Sequence, residues 1–498
     1  MSITEQTLND VKKAQQDINK TVSVGTGLIG YDLQAPAKNL YPVITPLRNK
    51  LPRVPGNGGS ATNWKVVTGL TGSGVSSMPW VPEGQRSGRM SYSTKPVAAN
   101  YATFGEEDSV TFEAESAAKN FEDIKATAAV RLLQQTMIKE EKAILAGNAS
   151  LVLAQPTAPT LAATGTTGTL PAATYSVIVA ALTLEGYLAN GGTSATQLIT
   201  SKSITGADGN TFTLNGGVSK KSAATTQAVT LGQILSATTP TVNGAVAYAW
   251  FVGVAGSETL QFITTINSAT FSAALTSTGM AATALSTTVD YSANSGLAFD
   301  GFMTSAFLPS NSAYVVNMPT GTAGTGTPLT AGGRGNVVEI DTMLKTMWEN
   351  FRLGVTEIYC SSQELTNITN KVMTTASGTL LRYNADAGKE GSDPYKINAN
   401  GVVTNYYNPY MPGGGRMIPI SIHPNLPAGT IFGYCSDLPL YYQNNEVQNV
   451  AEMHMRRDYY QLDWPLRSRQ YEMGVYAEGV LACYFPSSMA IITNIANG

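Results

Sequence analysis

Between Glu113 and Ala146 the chain runs 34 residues without a glycine or a proline. Phe121, Ile124, Ala128, Leu132, Leu133, Met137, Ala143 and Ile144 fall on one face of that run, which predicts a single helix with one broad apolar side. Unbroken, it would be about 50 Å long. Glu115 and Lys119 are spaced to pair along it, and Gly147 is a natural stop. A rod that is apolar on one side needs a sheet laid along that side. Gly474–Phe485 and Ser488–Ile495, both apolar and strand-like, are the candidates. The acidic run Glu106, Glu107 and Asp108 precedes the helix and would complement its N-terminal dipole.

What lies before the helix suits a lone globule poorly. Leu8, Val11, Ala14 and Ile18 make a weak helical stripe. Thr21 to Gly59 then carries Pro36, Pro42, Pro46, Pro52 and Pro55, which exclude a long helix or central strand and predict an extended arm lying on something else. Thr62–Leu70 and Met90–Phe104 read as the strands of a hairpin, joined by the glycine-rich stretch Thr71–Gly88. That connection is far longer than an ordinary hairpin loop. It carries Trp80 and Arg86, with Arg89 at its edge, and large aromatics and arginines on a loop are what protein interfaces favour.

After Gln155 the composition changes. From Pro156 to Asp290 the charged residues are Glu185, Lys202, Asp208, Lys220, Lys221, Glu258 and Asp290, and arginine is absent. Ala173–Ala181, Val229–Leu235, Ala245–Val254 and Leu260–Ile266 alternate with turn residues, the pattern of an all-β sandwich inserted as a separate, projecting module. Mixed structure follows: a helix over Val337–Phe351 ended by Gly354, a strand over Val355–Cys360, and a capping box at Ser361–Glu364 opening another helix.

The residues that usually carry chemistry are sparse. His423 and His454 lack metal-ligand spacing and read as surface or interface histidines, and Cys360, Cys435 and Cys483 as buried small hydrophobes. The glycine stretch Gly321–Gly335 lacks the end of a phosphate-binding loop, no nucleophile elbow occurs, and Asp208-Gly-Asn210 lacks the other ligands of a calcium loop. No catalytic residue, metal or cofactor is predicted. The 13% charged fraction and net charge of −3 argue against a tight reader of nucleic-acid phosphates. No signal peptide or membrane-spanning run is expected. One segment is charge-rich: His454, Arg456, Arg457, Asp458, Asp463, Arg467, Arg469 and Glu472 stand among Tyr459, Tyr460, Trp464 and Tyr471. Arginine forks there suit carboxylates of neighbouring subunits. The candidate intersubunit contacts are therefore Trp80, Arg86, Arg89, Arg456, Arg457, Arg467 and Arg469.

This order of parts resembles the major capsid protein of tailed double-stranded DNA phages, a fold shared with encapsulins and herpesvirus shells. The resemblance rests on the arm, the long loop and the helix in that order, on the junction Tyr101-Ala-Thr-Phe-Gly-Glu-Glu-Asp-Ser-Val-Thr-Phe112, and on the helix end Lys139-Glu-Glu-Lys-Ala-Ile-Leu-Ala-Gly-Asn148. Leu426-Pro-Ala-Gly-Thr430, Ile431-Phe-Gly-Tyr434, the Arg/Tyr-rich segment and the closing strand Val475–Tyr484 add to it. The inserted piece looks like an immunoglobulin or fibronectin type III domain, notably from Ala245 to Glu258. The resemblance implies an α+β phage-capsid fold divided as arm 1–55, extended loop 56–105, spine helix and first part of the peripheral domain 106–155, inserted β-sandwich 156–290, axial α/β domain 291–440 and second part of the peripheral domain 441–498. It implies a non-enzymatic subunit that assembles with itself into hexamers and pentamers of an icosahedral or prolate shell. Packaged double-stranded DNA would lie nearby without sequence-specific binding, with scaffold, portal and decoration proteins as possible partners. Assembly is expected in the host cytoplasm, with the product in the virion and no membrane involved. An encapsulin-like compartment and a surface adhesin or carbohydrate-binding protein are the alternatives.

Overall fold

The computed structural model describes residues 5–13, 43–56, 58–71, 80–86, 89–119, 122–194, 196–206, 208–333, 335–375, 402–411, 413–437 and 449–498. Most of the predicted arm, much of the hairpin tip, and Phe121 fall outside these residues. Residues 5–13 form a short exposed helix where the N-terminal stripe predicts one.

The predicted 34-residue helix is two helices, Phe112–Ala118 and Ile124–Ala146. Lys119 leaves helical geometry at ψ 130°, and the Asp123 side chain caps the second helix by accepting from the Lys125 and Ala126 N–H groups, each at 3.1 Å. A short acidic side chain offers the backbone a partner outside the helix, so a stretch free of Gly and Pro can still break. Glu115 consequently pairs across the break with Lys125 at 2.8 Å, not with Lys119. The longer piece is about 35 Å long and lies on an antiparallel three-strand set, Ala451–Asp463, Gln470–Cys483 and Ala102–Thr111, with Arg53–Pro55 added in parallel at its edge. Ala128 and Leu132 pack on Val110, Met473 and Val475 there. Glu106, Glu107 and Asp108 are strand residues and do not cap a helix. Glu106 pairs with Lys139 of the long helix, and Glu107 accepts from the Tyr476 hydroxyl.

Met489–Thr493 does not lie under the long helix. The chain turns through Pro486–Ser488 and enters a second, mixed sheet, ordered Tyr314–Asn317, Met489–Thr493, Ile431–Tyr434, Glu357–Cys360, Arg416–Ile422, Asn405–Asn408. Ile491 faces the core shared with the long helix, while Ala490 and Ile492 face the core under Val338–Phe351. A strand buried on both faces is apolar throughout, so its pattern alone does not say which sheet it joins. Helix Val338–Phe351 is ended by Arg352 in the left-handed region (φ 56°), ahead of Gly354. Ser361 caps the next helix, Ser362–Thr375, by accepting from the Glu364 N–H at 3.3 Å. The Glu364 carboxylate does not complete the capping box but accepts from the Gly429 N–H at 3.1 Å.

The segment between contains a three-stranded sheet (Ser268–Phe271, Ile234–Thr238, Thr160–Thr164) and a four-stranded one (Thr259–Thr264, Ala247–Gly253, Ala173–Leu182, Thr225–Val229). They face each other across Tyr175, Val177, Val179, Trp250, Leu235 and Phe271. The predicted strand Val229–Leu235 is the turn between two strands of opposite sheets, with Gly232 at φ 95°. The segment is not purely β, since Leu184–Ala189 is helical. It also packs against the rest of the chain. Leu184 and Val246 join the core beneath the long helix, and Asn267 and Asn494 are hydrogen-bonded to each other both ways.

Candidate functional site

Charge gathers where the arm ends. Pro46–Lys50 forms a short helix held by buried Leu47 and Leu51, and Arg53–Pro55 adds to the sheet. Glu140 and Glu141, at the end of the long helix, are both sealed from solvent. Glu140 receives Arg48 at 2.5 Å and Arg53 at 2.6 Å, together with the Tyr459 hydroxyl. Arg53 reaches Asp458 as well, at 2.6 Å. Glu141 accepts from the Leu47 N–H (3.0 Å), the Arg48 N–H (2.7 Å) and His423 (2.7 Å). Lys50 pairs with Glu357 at 2.7 Å. The arm root's basic residues therefore meet acids on three parts of the body: Glu140 on the long helix, Asp458 on Ala451–Asp463 and Glu357 on Glu357–Cys360. Burial alone would raise the Asp458 carboxyl, but the Arg53 guanidinium and the Tyr459 N–H outweigh it and hold the carboxyl below its ordinary range. Burial raises the Tyr459 phenol, and the Glu140 charge adds to the rise.

His423 corrects the expectation of a surface residue, being 1% exposed. His454 is mostly covered and bonds the Tyr484 hydroxyl at 2.8 Å. The sequence signal for the buried acids was the helix stripe itself: Glu141 occupies the place between Met137 and Ile144 where an apolar residue is expected.

The described residues include both histidines and all three cysteines. Among them no group of three or more His, Cys, Asp or Glu could hold a metal ion, and no helix is long and apolar enough to cross a membrane. Cys360, Cys435 and Cys483 are buried and free, and burial pushes each thiol up to about 12. Asp208 accepts from Asn210 within a turn. A cavity of about 260 Å³ opens between Tyr187, Leu188, Gln363, Pro424 and Leu426, with His423 as its one titratable imidazole.

The hairpin is the most exposed feature. Ala61–Thr71 pairs with Ser91–Asn100 as a two-stranded sheet of its own, about 35 Å long. The following strand, Ala102–Thr111, belongs to the body, so the hairpin's second strand ends before the predicted Phe104. At its base Trp64 packs on Tyr484 with ring centroids 5.4 Å apart, and the Tyr101 N–H bonds the Ser60 carbonyl at 3.0 Å. Further out the side chains face solvent, among them Val67, Met90 and Tyr92. Trp80 is 86% exposed, and Arg86 and Arg89 are exposed. Arg467 and Arg457 are exposed too, with the Arg457 guanidinium 5.7 Å from the Tyr460 ring centre. Arg456 pairs with Glu478 at 2.7 Å and Arg469 with Glu113 at 2.6 Å, so these two already have partners within the chain.

No family model and no curated protein matches the chain. Among solved structures it is similar to the capsid of Myoviridae phage XM1 (8% identity, TM-score 0.39, covering 95% of this chain and 99% of that one). It is also similar to the structure titled Mycobacterium phage Bobi (9% identity, TM-score 0.40, 96% and 97%) and to the holo-SrpI encapsulin complex from Synechococcus elongatus (9% identity, TM-score 0.34, 94% and 93%).

Proposed function

We propose that the chain is a shell-forming subunit, the major capsid protein of a tailed double-stranded DNA phage, which assembles with its own copies into hexamers and pentamers of the head. It works by shape and contact, not by catalysis. The observation that carries this reading is the hairpin Ala61–Asn100: two strands with no sheet or helix among the described residues over their outer half, and Val67, Trp80, Met90 and Tyr92 in solvent. An isolated two-stranded ribbon of this kind is marginal in water and gains stability when another surface covers it. Another copy of the chain supplies that surface in a shell, where many modest contacts add up. Trp80, Arg86, Arg89, Arg456, Arg457, Arg467 and Arg469 are the proposed contacts between subunits. Within this reading, the long helix and its sheet form the plate of the shell, the six-stranded sheet with its helices the axial unit, and 156–290 an inserted sandwich of immunoglobulin or fibronectin type. The subunit resides in the virion.

The test is to express the full chain alone and with candidate scaffold proteins, and to image it by electron microscopy. Rings, sheets or shells are expected, and removal of residues 66–95 is expected to leave folded, unassembled protein. A chain that stays monomeric under all these conditions, or that assembles equally well without the hairpin, overturns the reading.

A further inference from the structure

The inserted segment leaves and rejoins the body through residues 147–155 and 290–301, and these two links are stitched together by hydrogen bonds. The Asn148 amide donates to the Leu151 carbonyl (2.9 Å) and the Ser292 carbonyl (2.6 Å). The Asn294 N–H returns to the Asn148 carbonyl at 2.9 Å, the Leu153 N–H reaches the Ser292 hydroxyl at 3.0 Å, and the Gly301 N–H reaches the Gly147 carbonyl at 2.8 Å. Three carboxyls enter this network: Asp300 and Asp290 belong to the returning link itself, and the third comes from the insert. Glu185, on the insert's helix Leu184–Ala189, accepts from the Asn148 N–H on the outgoing link and sits 3.5 Å from the Asn294 amide on the returning one. Its other oxygen, Oε2, is buried and has no hydrogen-bond partner.

The charged and titratable groups on the elements packed here do not neutralise it. Lys142 on the long helix is exposed. Asp300 is taken up by the Ala149 and Ser150 N–H groups, and Asp290 by Ser292, leaving Asp290 Oδ1 buried and unpaired. Tyr187 shares the helix and Tyr291 lies on the returning link, and neither side chain can supply a cation. A carboxylate with one donorless buried oxygen and no cation is strongly disfavoured; the neutral acid is not.

We propose that Glu185 is a proton-operated lock on the root of the inserted segment: as the neutral acid it holds the two links together, and on losing its proton it loosens them. The proposal does not depend on the shell reading, since it concerns the folded chain in either state of assembly. Burial raises the carboxyl to about 7, against weaker opposing hydrogen bonds from Asn294 and Asn148, which places the transition near neutrality. Because the closed form binds the proton more tightly than the open one, raising the pH favours opening.

The experiment is hydrogen exchange of the full chain followed by mass spectrometry at pH 6 and pH 8, corrected for the intrinsic pH dependence of exchange. Opening of 147–155 and 290–301 should rise about tenfold across that interval in the wild type and stay flat in Glu185→Gln. A wild type without the rise, or a variant that keeps it, overturns the lock. An infrared difference spectrum of the wild type provides a second arm that needs no variant. It should show a buried carboxylic acid lost between the same two pH values, and its absence overturns the proposal equally.

Discussion

His423 and Glu141, 282 positions apart in the chain, meet at 2.7 Å with neither side chain exposed to solvent. The Asn425 N–H donates to His423 Nδ1 at 3.1 Å, so Nε2 carries the proton and donates it to Glu141. The other Glu141 contacts are backbone N–H groups of the arm root. One carboxylate thus ties the long helix, the arm and the turn after Arg416–Ile422.

Replacing Glu141 with alanine leaves three donors buried and unpaired. We expect a loss of about 3–5 kcal/mol, read as a lower denaturant midpoint with an unchanged slope. His423→Ala should cost less, because the two N–H contacts survive. The double variant should fall short of the sum by about 1–3 kcal/mol, and strict additivity would mean that the pair is not coupled.

Glu140 makes a separate prediction, because it neutralises two arginines at once. Glu140→Gln keeps the volume and removes the charge, so Arg48 and Arg53 lose their shared partner. Limited trypsin digestion should cut at Arg48, Lys50 or Arg53 several times faster than in the wild type, with cuts elsewhere unaffected. Equal rates at all sites would show that Leu47 and Leu51 alone hold the arm root.

The parts of this architecture that were legible in the sequence are those set by local pattern. The hairpin strands, the helix over Val338–Phe351 and the strand Glu357–Cys360 stand close to their predicted bounds, because alternation or helical periodicity fixes them nearly alone. The helix break at Asp123 was hidden because its cause is one capping side chain, not a Gly or Pro. The assignment of Met489–Thr493 to the second sheet was hidden because both its faces are apolar. Glu140 and Glu141 were visible as charges in an apolar stripe, but their partners come from Arg48, Arg53, His423 and Tyr459, which no spacing connects to them.

Gly147 ends the long helix at a negative φ of −49°, so it is not there for left-handed freedom. A Cβ at that position would lie 2.6 Å from the Phe299 carbonyl oxygen and 2.7 Å from that of Ala143. Both are backbone atoms and cannot swing away. Gly147→Ala should therefore destabilise by about 1–3 kcal/mol, measured by thermal unfolding. A neutral result would show that the returning link can shift to make room.

The buried thiols set an alkaline limit. Cys360, Cys435 and Cys483 are each raised to about 12 by burial, against roughly 8.5 for a free thiol. The folded state thus binds these protons more tightly than the unfolded state does. Their contribution is complete below the unfolded value and is lost as pH climbs from about 9 toward 12. Native protein at pH 8 should resist thiol reagents, and all three cysteines should react in denaturant. Replacing one with alanine or valine should flatten the loss of stability above pH 9.

The last prediction separates assembly from stability. Trp80, Arg86, Arg89 and Arg467 are exposed, and none of the three arginines forms an ion pair among the described residues. Alanine at any of the four should change the unfolding free energy by no more than about 0.5 kcal/mol, since surface positions of this kind carry little of the fold. Arg456 and Arg469 already hold Glu478 and Glu113 at exposed sites, and such pairs are worth about 0–1 kcal/mol, so their loss should be nearly as mild. Under the proposed shell function, assembly should respond differently. An exposed tryptophan is the residue type that most often anchors an interface, and its truncation there typically costs more than about 2 kcal/mol. Sedimentation of Trp80→Ala should therefore show intact, folded subunits with a sharply raised concentration threshold for assembly. The arginine variants should shift that threshold less and in a salt-dependent manner. If Trp80→Ala assembles at the wild-type threshold, the hairpin tip is not where subunits grip each other, and the contact must be sought near Arg467 and Arg469.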